Sequence, residues 1–397
     1  MRWSSSIANR EAPLKALKWM FDKEAPLLFR PQLDWDQWRW GLKFLAQCND
    51  TAFERNVQQI VALGAYSHAA LKDLVVSTGI EYNRLERGIA HFYTDQKSFD
   101  AAGHAVELMR KFGVQRRLVS RDELLKIEPA FKAYGDKITG GTYTSTDESG
   151  DARVFTQELA RRCAARGAQF LYGHDVLRLN KIGDAIDSVA VIARNTGAGG
   201  QKDFILKADA FVVACGSYSA PLLRTVGVDL PIYPGKGYSA TFPLLKPEGA
   251  PMVSTIDDGK KIAMSRLGNV LRVAGTIELG GFDMSLDSPV ARARCHMLSR
   301  RIAEILPGVC DTRTPEEGGN PQYWTGLRPA TPTNIPFIGQ TRVGKLWVNA
   351  GHGTLGWTHG AGSGKAMAEL LSGEVPAMNF GFLGVQAPRA VRGTVAA

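Results

Sequence analysis

The chain has 397 residues, 44% hydrophobic and 22% charged, which suits two intertwined globular domains and excludes a disordered, collagen-like or disulfide-stapled chain. Its five cysteines (Cys48, Cys163, Cys215, Cys295, Cys310) form no C-x-x-C pair and no ligand spacing with histidine. No metal site is expected, and a reducing cytoplasm is the default setting. The net charge is +9, yet the basic residues are spread through segments such as 110–117 and 292–301 with no aromatic-interleaved tract, so nucleic-acid binding is not expected.

Residues 1–13 are polar and lack the apolar stretch of a secretory signal, and no uninterrupted apolar run approaches the ~20 residues of a bilayer span. Residues 14–45 hold four of the eight tryptophans (Trp19, Trp35, Trp38, Trp40), with partly helical spacing broken by Pro26 and Pro31. Helical periodicity over 52–78 and 95–113 is closed by Gly79 and Gly113, suited to C-terminal caps. Ser120 and Glu123 fit a capping box before a short helix, 124–127, which Pro129 stops. The first third is mainly helical.

Gly150-Asp151 then opens an amphipathic helix through Phe155, Leu159 and Cys163, with Gly167 as its cap. Strands are expected at 169–172, 176–179, 186–193 and 210–215, with a Gly-rich loop at 196–200 and a glycine turn at Gly216-Ser217. Residues 231–280 read as an antiparallel sheet, its clearest hairpin pairing 262–266 with 270–275 around Gly268-Asn269. Ser288-Pro289 starts a helix that ends near 306. A strand at 345–350, a glycine loop at 351–356 and a helix at 357–371 follow, and 386–397 reads as a frayed tail.

The loop Gly351-His-Gly353-Thr-Leu-Gly356 matches G-x-G-x-x-G between a strand and a helix. A dinucleotide fold also needs a second strand and an acidic residue about 20 positions on. Glu374 lies near that distance, but Pro376 and Phe380 follow with no convincing strand. Two readings stay open: amides at a helix N-terminus that serve an electron-rich group, or a turn that needs glycine for sterics alone. A nicotinamide-dependent dehydrogenase is the runner-up among enzymes, and it lacks the acidic ribose contact.

Three stretches carry a resemblance: Tyr323-Trp-Thr-Gly-Leu-Arg-Pro-Ala-Thr-Pro332, Ile335-Pro-Phe-Ile-Gly339 and Leu346-Trp-Val-Asn-Ala-Gly-His-Gly-Thr-Leu-Gly-Trp357. Asp147-Glu-Ser-Gly-Asp151, Cys215-Gly-Ser-Tyr-Ser219 and Tyr233-Pro-Gly-Lys-Gly-Tyr238 support it. On these residues the chain resembles the D-amino-acid oxidase superfamily, and within it the bacterial D-amino-acid dehydrogenases. The resemblance implies an α/β (mixed α+β) fold, a Rossmann-like FAD-binding domain interleaved with an antiparallel-sheet substrate domain. It implies FAD as cofactor, a D-amino acid as substrate and a quinone-type acceptor of the respiratory chain; which D-amino acid is preferred, secondary amines such as D-proline or hydroxyproline among them, stays open.

By resemblance, Arg328 clamps the substrate carboxylate, and Gly351, His352, Gly353, Thr354, Leu355 and Gly356 serve the electron-accepting end of the flavin. His352 is as much a packed loop residue as a catalytic one, and no catalytic residue is assigned. Gly216 is placed with the cofactor. Tyr238 borders the substrate and Lys236 the flavin, unless 233–235 is a structural turn. The corresponding division is 1–145 (mainly helical part of the cap), 146–222 (FAD domain, second part), 223–322 (substrate sheet and helix), 323–385 (FAD domain, C-terminal part) and 386–397 (tail).

The family opens with a strand, a glycine turn, a helix and a second strand ending in an acid, and residues 1–10 show none of these. The Rossmann-like domain is therefore expected to be N-terminally truncated, and an inactive remnant that does not hold FAD is the alternative. Thr333-Asn334 stands where relatives carry an Asp-Gly turn, a change that asparagine tolerates. The tryptophan-rich segment, beside Lys15, Lys18, Arg30, Arg39 and Lys43, reads either as packed aromatics or as a membrane-surface helix. A cytoplasmic protein, associated with the inner face of the bacterial inner membrane, is the expectation.

Overall fold

The computed structural model describes residues 25–194 and 203–385. The expectations for residues 1–13, for the loop 196–200 and for the tail 386–397 lie outside these.

The strand β1 (Leu27–Phe29) leads into helix α1 (Trp35–Ala46), capped by the Asp34 carboxylate. Asn49 caps the long helix α2 (Asp50–Thr78), which ends on Gly79 in the left-handed conformation at φ 60°. There follow β2 (Ile89–Tyr93), α3 (Gln96–Lys111), β3 (Arg116–Ser120), α4 (Arg121–Ile127) and β4 (Gly140–Thr144). Asp151 caps α5 (Ala152–Ala164) through the amides of Arg153 and Val154. Next come β5 (His174–Ile182), β6 (Ala185–Ala193), β7 (Asp203–Lys207), β8 (Phe211–Val213) and the short α6 (Ser219–Arg224). The rest is β9 (Tyr233–Pro243), β10 (Ser254–Asp257), β11 (Ile262–Leu267), β12 (Val270–Leu279), α7 (Pro289–Ile305), β13 (Gln322–Ala330), β14 (Phe337–Gln340), β15 (Leu346–Ala350) and α8 (Gly356–Leu371).

Among the described residues, nine strands form one sheet in the order β13-β9-β12-β11-β10-β2-β4-β3, with β1 added parallel to the end of β12. β11 and β12 pair antiparallel, and Leu267 opposite Val270 leaves the two-residue turn Gly268-Asn269. One face of this sheet packs on α7, which Ser288 caps, so that Ala291, Cys295, Leu298 and Ile302 meet Tyr238, Phe242, Met264 and Val273 in the main core. A three-stranded sheet, β14-β15-β8, and a meander, β5-β6-β7, build the other part, with Leu346, Val348 and Leu223 in its core.

Four expectations change. The region before residue 145 contributes strands β1 to β4, whose three to five residues are too short to show a period. Residues 169–172 form no strand: Phe170 and Tyr172 stack on each other, and Gly173, at φ 69°, turns the chain before β5. The strand at 210–215 shortens to Phe211–Val213, an edge among the described residues. Finally, α2 does reach the length and hydropathy of a membrane span, but Leu63, Ser67 and neighbouring residues are buried, Leu63 in a core it shares with α8.

That contact is close. A Cβ on Gly362 of α8 would lie 2.6 Å from the Ser67 Cα, and the Gly362 amide donates to Ser67 Oγ at 3.0 Å. Backbone cannot yield as a flexible side chain does, so Gly362→Ala should destabilise the fold by about 1–3 kcal/mol. Urea denaturation checks this, and an unchanged midpoint would contradict the packing.

Candidate active site

Arg328 on β13 stands opposite Gly235 of β9. Its side chain runs along β9 to Gly237, the next residue on that face, where a Cβ would overlap the guanidinium. Nη1 donates to the Thr276 carbonyl at 2.9 Å. Thr276 is the extra residue of a bulge, where pairing of β12 with β9 slips between Gly275 and Ile277. Its φ of 58° is costly for a β-branched residue, by about 1–3 kcal/mol. Two local sacrifices, a missing side chain and a strained backbone, thus hold one guanidinium.

Among the described residues no carboxylate pairs with Arg328. Burial pushes its pKa down to about 10, which leaves it charged at neutral pH. A desolvated cation without a counter-charge is costly, and an anionic ligand would relieve it. The side chain is partly exposed, and what it faces is a cavity of about 300 Å³. Leu27, Phe29 and Ile277 line the sheet side of this space, Trp40 and Phe44 of α1 the other, and Gly353 and Thr354 the end. Trp40 Nε1 donates to the Ala330 carbonyl at 2.8 Å, which ties α1 to the end of β13.

The glycine loop enters the cavity where α8 begins, and no side chain caps that helix. Its first-turn amides and positive dipole end are therefore open to an electron-rich group. Gly351 sits at φ 89°, and a Cβ there would lie 2.8 Å from Thr331 Cγ2. Gly353, at φ 52°, abuts the Asn334 side chain, and Asn334 itself takes φ 61° as the turn requires. Leu355 is buried and its amide donates to the His352 carbonyl. The His352 ring meets Ser363 Oγ at 3.0 Å, and burial lowers its pKa to about 4, so the ring is neutral.

The structure therefore brings Arg328, Gly353 and Thr354 to one cavity, with Gly351, His352, Leu355 and Gly356 in the loop that shapes it. Tyr238 and Lys236 are not there. They alternate with Gly235 and Gly237 along β9 and so point through the opposite face of the sheet. Tyr238 is buried in the α7 core with its hydroxyl donating to Glu278, and Lys236 Nζ donates to the Ser285 carbonyl at 2.6 Å. Gly216, at φ 57°, opens a turn whose next residue, Ser217, reaches the Leu327 carbonyl, beside the cavity and not in it. Sequence reading missed Thr276, Ile277 and Gly237. Two glycines two apart within a strand were the available signal for a close approach on one face.

Comparison with known proteins bears on this arrangement. The FAD dependent oxidoreductase family (DAO) matches residues 28–370. A D-amino acid dehydrogenase of Dechloromonas aromatica (strain RCB) is 46% identical over 95% of this chain and 86% of its own length. One from Methylobacterium radiotolerans is 39% identical over 94% of this chain and 85% of its own. Among solved structures, glycine oxidase from Geobacillus kaustophilus aligns with a TM-score of 0.67 at 23% identity, covering 81% of each chain, which speaks to fold alone.

The described residues fit the ring end of a flavin. The apolar walls suit a flat aromatic ring, and the Gly353 cradle with the uncapped amides of α8 suits its electron-accepting edge. A phosphate-binding glycine turn with its ribose-binding acid is not found among the described residues.

Two predictions follow from this geometry. Gly237→Ala should displace the guanidinium and weaken binding of a simple carboxylate, benzoate, by at least about tenfold; equal affinity by calorimetry would contradict it. Burial also holds His359, beside His352, at a pKa of about 3. Both rings stay neutral in the folded protein while the unfolded chain protonates below about 6.5. Unfolding then takes up protons, so stability should fall as pH drops from about 6.5 toward 4, by on the order of 2 kcal/mol per ring. His352→Gln should flatten that decline, and superimposable curves for variant and parent would rule the ring out as a source.

Proposed function

The chain belongs to the family of FAD-dependent oxidoreductases, and from that premise we propose that it is a dehydrogenase of D-amino acids. With the loop 351–356 and the apolar walls holding its ring, FAD would supply the acceptor for the hydride from the substrate α-carbon, and water would then hydrolyse the imino acid to a 2-oxo acid and ammonia. The observation that carries the reading is the Arg328 guanidinium, without a carboxylate partner among the described residues, at the same cavity as the glycine loop. Its planar fork grips the substrate carboxylate through two parallel hydrogen bonds and fixes the α-carbon in the cavity. The apolar walls of β1 and α1 keep water from the reacting carbon. The amides at the start of α8 stabilise negative charge that develops opposite the substrate. A neutral substrate amine needs no dedicated base, and the neutral His352 ring holds the loop through Ser363.

In this reading 146–222 and 323–385 hold the cofactor, while the segments before 145 and from 223 to 322 shape the substrate side. Coverage of the two dehydrogenases, 86% and 85% of their lengths, does not favour an inactive remnant. We further propose a quinone-type electron acceptor and contact with the cytoplasmic face of the bacterial inner membrane. The support is α1, whose Trp35 is 74% exposed away from the cavity on the helix that carries Arg39 and Lys43.

With FAD supplied and an artificial acceptor, Arg328→Met should lower kcat/KM for D-alanine by at least about a hundredfold, and Arg328→Lys by roughly tenfold or more, because the ammonium lacks the fork. Unchanged kinetics would remove Arg328 from substrate binding. The parent should sediment with phosphatidylglycerol vesicles at moderate salt, and Trp35→Glu should not; a parent that stays in the supernatant whatever the lipid charge contradicts the membrane contact.

A further inference from the structure

Gly353 and Thr354 line one end of the Arg328 cavity, where the cofactor ring is placed. The remaining walls come from β1, β12 and α1: Leu27, Phe29, Ile277 and Leu279 on the sheet side, Trp40 and Phe44 on the helix. The polar atoms of these walls are already committed. Gln37 Nε2 donates to the Arg30 and Leu279 carbonyls, and its Oε1 accepts from the Gln32 amide at 2.8 Å. Trp38 Nε1 donates to the Gln32 carbonyl at 2.9 Å, and Trp40 Nε1 is held by Ala330. A charged or hydroxylated ligand group would lose its water here and find no partner among these side chains, whereas a hydrocarbon group gains by burial.

Gly41 lies in the middle of the helix wall. Glycine is a poor residue for a helix interior, so its place in α1 calls for a reason. Backbone geometry is not one, because Gly41 does not take a positive φ. Close packing is not one either, since a Cβ at this position would meet nothing within 4 Å. Gln37 and Trp38, one turn before, and Phe44 and Leu45, one turn after, line the cavity as Gly41 does. Residues three and four apart share a helix face, so a side chain at 41 would enter the cavity. What the glycine provides is space.

We infer that Gly41 is a specificity-determining residue: it keeps the cavity open for a large hydrocarbon side chain, so that the preferred substrates are D-amino acids of the leucine and phenylalanine type. The inference rests on Arg328 as the carboxylate clamp. The α-carboxylate sits on the guanidinium, and the substrate side chain lies between β1 and α1. A cavity of about 300 Å³ offers far more than the methyl group of alanine fills. Gly41 touches no reacting atom and acts on selectivity alone.

The test uses the FAD-supplemented protein and three carboxylates, the deaminated counterparts of phenylalanine, alanine and aspartate. These are 3-phenylpropanoate, propanoate and succinate, titrated by tryptophan fluorescence and calorimetry. The parent should bind 3-phenylpropanoate at least about tenfold more tightly than propanoate, and succinate no more tightly than propanoate. Gly41→Leu, which fills the space, should abolish the preference for the phenyl group. Gly41→Ala adds one methyl group to a position where alanine favours the helix, and should remove part of that preference. In turnover, Gly41→Leu should lower kcat/KM for D-phenylalanine at least about tenfold more than for D-alanine, with the loss in KM.

Equal affinity of the parent for 3-phenylpropanoate and propanoate overturns the inference without any variant. Tighter binding of succinate than of 3-phenylpropanoate overturns it too, and so does a phenyl preference that Gly41→Leu leaves intact. If the phenyl preference holds and neither D-phenylalanine nor D-alanine bleaches the bound flavin, the pocket stands and the dehydrogenase reading fails.

Discussion

A guanidinium laid on a glycine, with a backbone carbonyl as its hydrogen-bond acceptor and no carboxylate beside it among the described residues, is the contact around which this protein is organised. Arg328 can lie flat along β9 only because Gly237 has no side chain, and it finds the Thr276 carbonyl only because β12 bulges there. Neither feature helps the sheet by itself. A glycine weakens a strand, and a β-branched residue at positive φ is strained. Both make sense as supports for a charge that awaits an anion.

The surrounding elements follow from that placement. The bulge comes where β11 stops pairing with β12, and β1 then takes over the edge at Ile277 to Leu279. β1 brings Leu27 and Phe29 onto the Arg328 face, and α1 folds back over them with Trp40 bonded to Ala330. The opposite face is a different environment. There Tyr238, Glu278 and Lys236 join the core under α7, and Glu278 is neutralised by Arg30. One sheet thus separates a satisfied, packed polar cluster from an unsatisfied, ligand-facing one. The close approach of Gly362 to Ser67 sets α8, and with it the glycine loop, against the long helix α2.

Local chemistry was legible in the sequence where a few adjacent residues decide the structure. The Ser288-Pro289 helix start, the Gly79 cap, the Gly268-Asn269 hairpin and the strand–glycine–helix passage at 346–371 all appear as read. Asn334 takes the left-handed conformation that its place in the turn called for. What the sequence did not show depends on register. β9 and β13 are separated by some 80 residues of chain, and a slip by one residue would exchange Tyr238 with Gly237 at the cavity. That is why Tyr238 and Lys236 were assigned to the site and lie behind it. The short strands β1 to β4 were lost for another reason: three to five residues beside strong helical periods leave little pattern to find.

The central claim is that the Arg328 cavity presents a D-amino acid to the flavin, and the visible spectrum tests it most directly. The protein, supplied with FAD and freed of oxygen, is mixed with D-alanine and then with L-alanine while absorbance is followed between about 350 and 500 nm, where the oxidised cofactor absorbs. The account predicts bleaching by the D-enantiomer alone. A flavin that both enantiomers leave oxidised, or that both bleach alike, would contradict it.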